Sequence, residues 1–129
     1  MTTAVLIFVS VVPLLTHHSV RNEFDSTKAT TIAGVITKVE WTNPHVWIYM
    51  NAKDASGRIS TWGVEMAAPA ALAKSGFEKG FFDLTHSFSI EIWLARNGAN
   101  KGNGRTLTLP DGRTFDISDK WPDGSPLVK

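Results

Sequence analysis

The sequence contains no cysteine. That absence excludes disulfides, a thiol nucleophile, an iron–sulfur cluster and covalently attached c-type haem. Charge is also scarce. Thirteen Lys plus Arg stand against twelve Asp plus Glu in 129 residues, a net charge of +1, which gives no electrostatic footprint for nucleic acid or for anionic lipid. No long apolar run is present either. The longest, AVLIFVSVVPLL at Ala4–Leu15, falls well short of the ~20 residues that a membrane-spanning helix needs. Catalytic signatures are missing as well: there is no G-x-S-x-G, P-loop, G-x-G-x-x-G or H-E-x-x-H. Gly102-Asn103-Gly104 lacks the following helix that phosphate binding requires, and nothing in the sequence pairs Glu65 with Glu91 as acid and base. The chain therefore reads as a binding or interaction protein rather than an enzyme.

What is present divides in two. No Lys, Arg, Asp or Glu occurs before Arg21, and the apolar run suits the central region of a signal peptide. The expected organisation is a leader over residues 1–16, a single domain over 17–117 and a polar tail over 118–129. Met1-Thr2-Thr3 lacks the usual basic residue, which a start codon assigned too far downstream explains, and Leu14-Leu15-Thr16 departs from the small-x-small cleavage pattern. The expected location is periplasmic or secreted, with no membrane span left after processing.

The body alternates like a β protein. Thr30–Trp41 is rich in β-branched residues and suggests a long strand with a bend or bulge at Gly34. His45–Ala52 alternates with period two, and Asp54–Gly57 is a turn leading to a partner strand at Arg58–Met66. Pro69–Ser75, with Pro at its start and Gly76 behind it, reads as one short helix. Ser87–Ala95 alternates again. Arg96–Gly104 reads as a long Gly/Asn loop, and Arg105–Leu109 with Arg113–Ile117 as a last hairpin. Three strands, a helix, a strand, a loop and a strand is the order of an OB-fold, so the expected architecture is a five- to six-stranded barrel with one short helix between strands three and four. Its ligand surface would lie on strands two and three and on the loops at 42–44 and 96–104.

His17-His18-Ser19, Phe24-Asp25, Gly34-Val35, Val39-Glu40-Trp41-Thr42-Asn43-Pro44-His45-Val46-Trp47-Ile48 and Thr108-Leu109-Pro110-Asp111-Gly112-Arg113 together resemble a family of small exported bacterial proteins of unknown function. The resemblance implies a signal peptide, a mature end near the His-His-Ser motif and a small periplasmic β-barrel, and it implies no particular activity. The chain departs from that pattern at the leader's end and at Thr85-His86-Ser87.

The candidate site residues follow. Cleavage after Thr16 would make His17 the first residue, and its α-amine and imidazole could then chelate one metal ion. Cleavage one residue earlier would put His18 third, where amine, two backbone amides and imidazole form a square-planar set suited to Cu(II). The expected metal ligands are therefore His17, His18 and His45, with copper as the candidate ion and His86 as a further nitrogen if the fold brings it near. Trp41, Asn43, His45, Trp47 and Tyr49 form the expected small-ligand platform, since aromatic faces stack on planar molecules. In the other reading, Trp41, Trp47, Tyr49, Trp62 and Trp93 simply fill and cover the barrel. A second functional class also fits: a periplasmic accessory protein that presents the Trp47/Tyr49 face or the 96–104 loop to a partner and holds no cofactor.

Overall fold

The computed structural model describes residues 16–53 and 56–120, with the side chains of residues 16–19 and 84 excepted. The leader, the end of the tail and part of the Asp54–Gly57 turn lie outside the described residues. The elements run α1 (Thr16–Glu23), β1 (Phe24–Glu40), β2 (Trp47–Lys53), β3 (Ile59–Glu65), α2 (Pro69–Lys74), α3 (Phe81–Leu84), β4 (Ser87–Ala95), β5 (Lys101–Thr108) and β6 (Thr114–Asp116). The expected mainly β barrel is what forms. The sheet order is β3-β2-β1-β4-β5-β6, and a parallel pairing of β3 with β5 closes the first five strands into a ring. Among the described residues no helix is long and apolar enough to cross a membrane.

Period-two alternation places the core. Val46, Ile48, Met50 and Ala52 point into the barrel and are essentially solvent-free, while Trp47 and Tyr49 between them are only half-buried. Phe88, Ile90 and Ile92 of β4, Val64 of β3 and Leu107 of β5 fill the same interior. The 17-residue β1 is long enough to pair with β4 along most of its length and with β2 along its C-terminal half. The register shift against β2 falls between Ile36 and Lys38, not at Gly34. Gly34 is required for a different reason. A Cβ there would collide with the Asn51 carbonyl and would lie 2.8 Å from the Ala52 Cα.

Three further expectations are corrected. Two short helices follow β3 rather than one, because Phe77, Phe81, Phe82 and Phe115 pack ring against ring at 5.1–5.4 Å and draw the Phe81–Leu84 turn onto the barrel end. Lys101–Gly104 is not loop but the first half of β5. Its glycines are demanded by packing: a Cβ on Gly102 would lie 2.5–3.0 Å from Ile92 side-chain atoms, and one on Gly104 would lie 2.7 Å from Ile117 Cδ1 and 3.2 Å from the Glu65 carbonyl. The tail does not begin at Ser118, since Ser118 and Asp119 are buried and the Ala67 N–H donates to the Ile117 carbonyl at 2.9 Å.

Because Gly102 faces Ile92 with no spare volume, Gly102→Ala should destabilise the fold by about 1–3 kcal/mol, the usual range for overpacking. Urea unfolding of Gly102→Ala, and of Gly102→Ala with Ile92→Val, checks this. The double variant should recover part of the loss.

Candidate functional site

The polar chemistry gathers on the outside of the barrel, where β2, β3 and β5 run side by side. Trp47 is the register partner of Glu65 across the β2–β3 pair. Glu65 is in turn the partner of Asn103 across the parallel β3–β5 pair, and Gly63 of Lys101. These residues alternate with core positions, so their side chains share the outer face. His45 lies two residues before β2, just after the cis Asn43–Pro44 bond, and keeps the same parity as Trp47 and Tyr49. Backbone bonds fix it there: Val46 N–H donates to the Ala67 carbonyl at 3.2 Å and Met66 N–H to the Val46 carbonyl at 2.8 Å.

His45 is held by both ring nitrogens. Nδ1 lies 3.2 Å from the Met66 carbonyl oxygen and 3.6 Å from Asp119 Oδ2. Nε2 lies 3.4 Å from Glu65 Oε1. A carbonyl oxygen only accepts, so Nδ1 carries the proton of the Met66 contact and Nε2 is the nitrogen that faces Glu65. Burial pushes the Glu65 carboxyl above the ordinary carboxylate range. The His45 charge opposes that shift, and the Glu23 carboxylate adds to it. Asn103, at 1% exposure, accepts from Arg105 Nη1 through Oδ1 at 3.1 Å, while its Nδ2 has no hydrogen-bond partner among the described residues. Arg105 stacks on the Trp93 ring at 3.7 Å, and burial lowers the pKa of its guanidinium.

Helix α1 is fastened beside this face. Val20 and Phe24 are buried with Ala95 against Trp93, and fully burying a Val or Phe side chain contributes about 1.5–3 kcal/mol. Lys101 pairs with Glu23 and lies over the rings of Phe24 and Trp47 at 5.8 and 5.0 Å. A half-exposed ion pair of this kind contributes about 0.2–1 kcal/mol. The apolar anchor therefore holds the helix, and Lys101 sets where its end sits relative to β2. Arg96 adds two bonds, from its N–H to the Glu23 carbonyl at 2.9 Å and from Nε to the Arg21 carbonyl at 3.0 Å.

The chain belongs to a family of unknown function (DUF6152). The family's sequence model matches residues 5–105, which takes in α1, β1–β4 and the start of β5. No curated protein and no solved structure matches the chain.

The expected site residues of this family member separate into groups. His45 and Trp47 lie on the outer face described above. Tyr49 continues the row and, with Trp47, Gly63, Asn100 and Lys101, lines a shallow concavity. Its hydroxyl lies 3.5 Å from Glu40 Oε2. Asn43 is exposed on the preceding loop. Trp41 packs on the rings of Phe77 and Phe82 at 6.4 and 6.3 Å, so its surface is committed to the core. His86 is exposed ahead of β4, at the opposite end of that strand from Trp93. The side chains of His17 and His18 lie outside the described residues, although the backbone that carries them is the start of α1. Among the described residues no three His, Asp or Glu side chains converge on a metal position.

Sequence reasoning missed Glu65, Asn103 and Asp119. The signal for Glu65 was available: a hairpin centred on Ser56 pairs it with Trp47. Asn103 was hidden inside a segment read as loop. Asp119 carries no local signal, because only long-range packing brings the chain end to His45. The ring geometry makes one direct forecast. Long-range proton–nitrogen correlation spectra of the protein should show a proton on His45 Nδ1. An Nε2–H tautomer would contradict the Met66 contact.

Proposed function

We propose that this protein is an exported binding module whose N-terminal histidines and His45 together hold a metal ion, with copper as the candidate. The observation that carries this reading is the fastening of α1. The helix that contains His17 and His18 ends at Glu23, and Lys101 ties Glu23 to the face where Trp47, Glu65 and His45 lie. Eight residues of helix span about 12 Å, which sets the distance between the start of α1 and its clamped end. The Nδ1 bond to Met66 makes Nε2 the ring nitrogen turned toward Glu65, and ligating histidines are usually oriented by such a bond on the other ring nitrogen. The charge balance points the same way. Glu65 and Asp119 both lie against His45, two carboxyls beside one imidazole, a setting that favours a cation.

Export is part of the proposal, because only removal of the leader frees an α-amine beside His17 or His18. A second reading is favoured by the shallow concavity lined by Trp47, Tyr49, Gly63, Asn100 and Lys101: an exported accessory protein that offers this aromatic face to a small ligand or a partner protein without a cofactor. The 96–104 segment contributes less to that reading, since only Arg96–Asn100 is loop.

The test is a Cu(II) titration of the protein as secreted, with its intact mass fixing which residue comes first. Tight binding of one ion is expected. His17→Ala with His18→Ala, or an added N-terminal Met, should abolish it, and His45→Ala should weaken it about tenfold or more, roughly 1.4 kcal/mol. Unchanged affinity in these variants would overturn the metal reading and leave the aromatic face as the functional surface.

A further inference from the structure

The geometry points to a separate binding site on the outer face of β4, β5 and β6 that takes a small zwitterion of the α-amino-acid class, with Arg105 holding the carboxylate and Glu91 the ammonium. It lies apart from the proposed ion site and does not depend on a metal. The strand register creates the position. Glu91 pairs with Thr106 and Ile92 with Gly104, so Arg105 is an extra residue of β5 with no partner on β4. A bulge of this kind re-aims a side chain. Ile90, Ile92 and Leu107 are buried in the barrel, which turns Glu91 and Thr106 outward, and the bulge sets Arg105 beside them. With Thr114, Phe115, Asp116 and Ser118 these residues line an open cavity of about 440 Å³, a size at which small-molecule sites occur.

Arg105 is already held in place. Its guanidinium lies 3.7 Å from the centre of the Trp93 ring, and Trp93 packs on the buried cluster of Val20, Phe24 and Ala95. Nη1 donates to Asn103 Oδ1 at 3.1 Å, and the Ile117 N–H donates to the Arg105 carbonyl at 3.0 Å. No carboxylate answers the charge directly. Asp116 gives Oδ1 to the Ser118 N–H at 3.0 Å and Oδ2 to Lys120 Nζ at 2.7 Å, and among the described residues no Asp or Glu forms an ion pair with Arg105. Burial lowers the pKa of the guanidinium in spite of the opposing fields of Asp116, Glu91 and Asp119. A fixed, half-buried guanidinium with N–H groups to spare is suited to clamp a carboxylate by two parallel hydrogen bonds.

The surroundings choose among anions. Glu91 stands exposed at the rim, with no ion-pair partner among the described residues. A phosphate or a dicarboxylate would bring a second negative charge against Glu91 and Asp116, whereas an amino acid brings an ammonium. Residues directly opposite on antiparallel strands have Cβ atoms about 4.5–5.5 Å apart, so the stem of Glu91 rises beside Thr106, the neighbour of Arg105 in the chain. An α-amino acid carries both charged groups on the same carbon and so meets both partners together. The Thr106 and Thr114 hydroxyls offer further hydrogen bonds, and Phe115 offers an apolar wall to the ligand's side chain.

The experiment titrates the full chain with L-valine, with isovalerate, which lacks the ammonium, and with isobutylamine, which lacks the carboxylate. Proton–nitrogen spectra follow the Arg105 Nε–H, the Thr106 amide and the Trp93 indole N–H. Saturable shifts are expected with L-valine, about tenfold weaker binding with isovalerate and no shift at Arg105 with isobutylamine. Glu91→Gln, at an exposed position, should lower valine affinity about tenfold and leave isovalerate unchanged, while Arg105→Lys should weaken both. The wild-type comparison needs no variant, so a folding defect in Arg105→Lys leaves it decisive. Absence of a saturable shift with L-valine, equal wild-type affinity for L-valine and isovalerate, or tighter binding of inorganic phosphate than of L-valine would each overturn the inference.

Discussion

The short parallel pairing of β3 with β5 is the contact on which the rest of the molecule depends. Gly63, Val64 and Glu65 lie beside Lys101, Gly102 and Asn103, and this turns an open antiparallel sheet into a ring with no free edge between those strands. The same three steps place Glu65, Asn103 and Lys101 next to one another on the outside. Closure and site assembly are therefore one event. The two strands can approach because Gly102 and Gly104 carry no Cβ where Ile92, Ile117 and the Glu65 carbonyl already occupy the space.

The fold was largely legible in the sequence because its strands have one wet face and one dry face. Ser87–Ala95 and the alternation from Val46 to Ala52 reported their own geometry, and Pro69 with Gly76 bracketed α2. The Arg96–Gly104 segment defeated the same reasoning. Gly and Asn usually mark loops, but here glycine serves close packing inside a strand, and no local pattern distinguishes the two uses. Phe81–Leu84 was also invisible, since a four-residue helix is made by aromatic packing across the barrel end and not by its own periodicity.

The site was legible only where the motif was. His45, Trp47 and Tyr49 were readable as one row, because parity alone assigns them to one face. Trp41 was not separable from them, and its contacts with Phe77 and Phe82 follow from where β1 ends rather than from its residue type. Glu65, Asn103 and Asp119 come from three distant stretches, and their meeting is a product of ring closure and of the Ala67–Ile117 hydrogen bond. Electrostatics then follows from position: a carboxyl of ordinary chemistry is pushed upward because β3 carries it out of water, and the His45 charge opposes that shift.

The central claim is that the helix with the terminal histidines and the β2–β3–β5 face form a single ion site. Paramagnetic broadening of backbone amide resonances by one equivalent of Cu(II) measures this most directly. The account predicts strong broadening at α1 and also at His45, Trp47, Glu65 and Asn103, with Val35 and Pro110 on the far side unaffected. Broadening confined to residues 17–25, with sharp signals at His45 and Glu65, would contradict it.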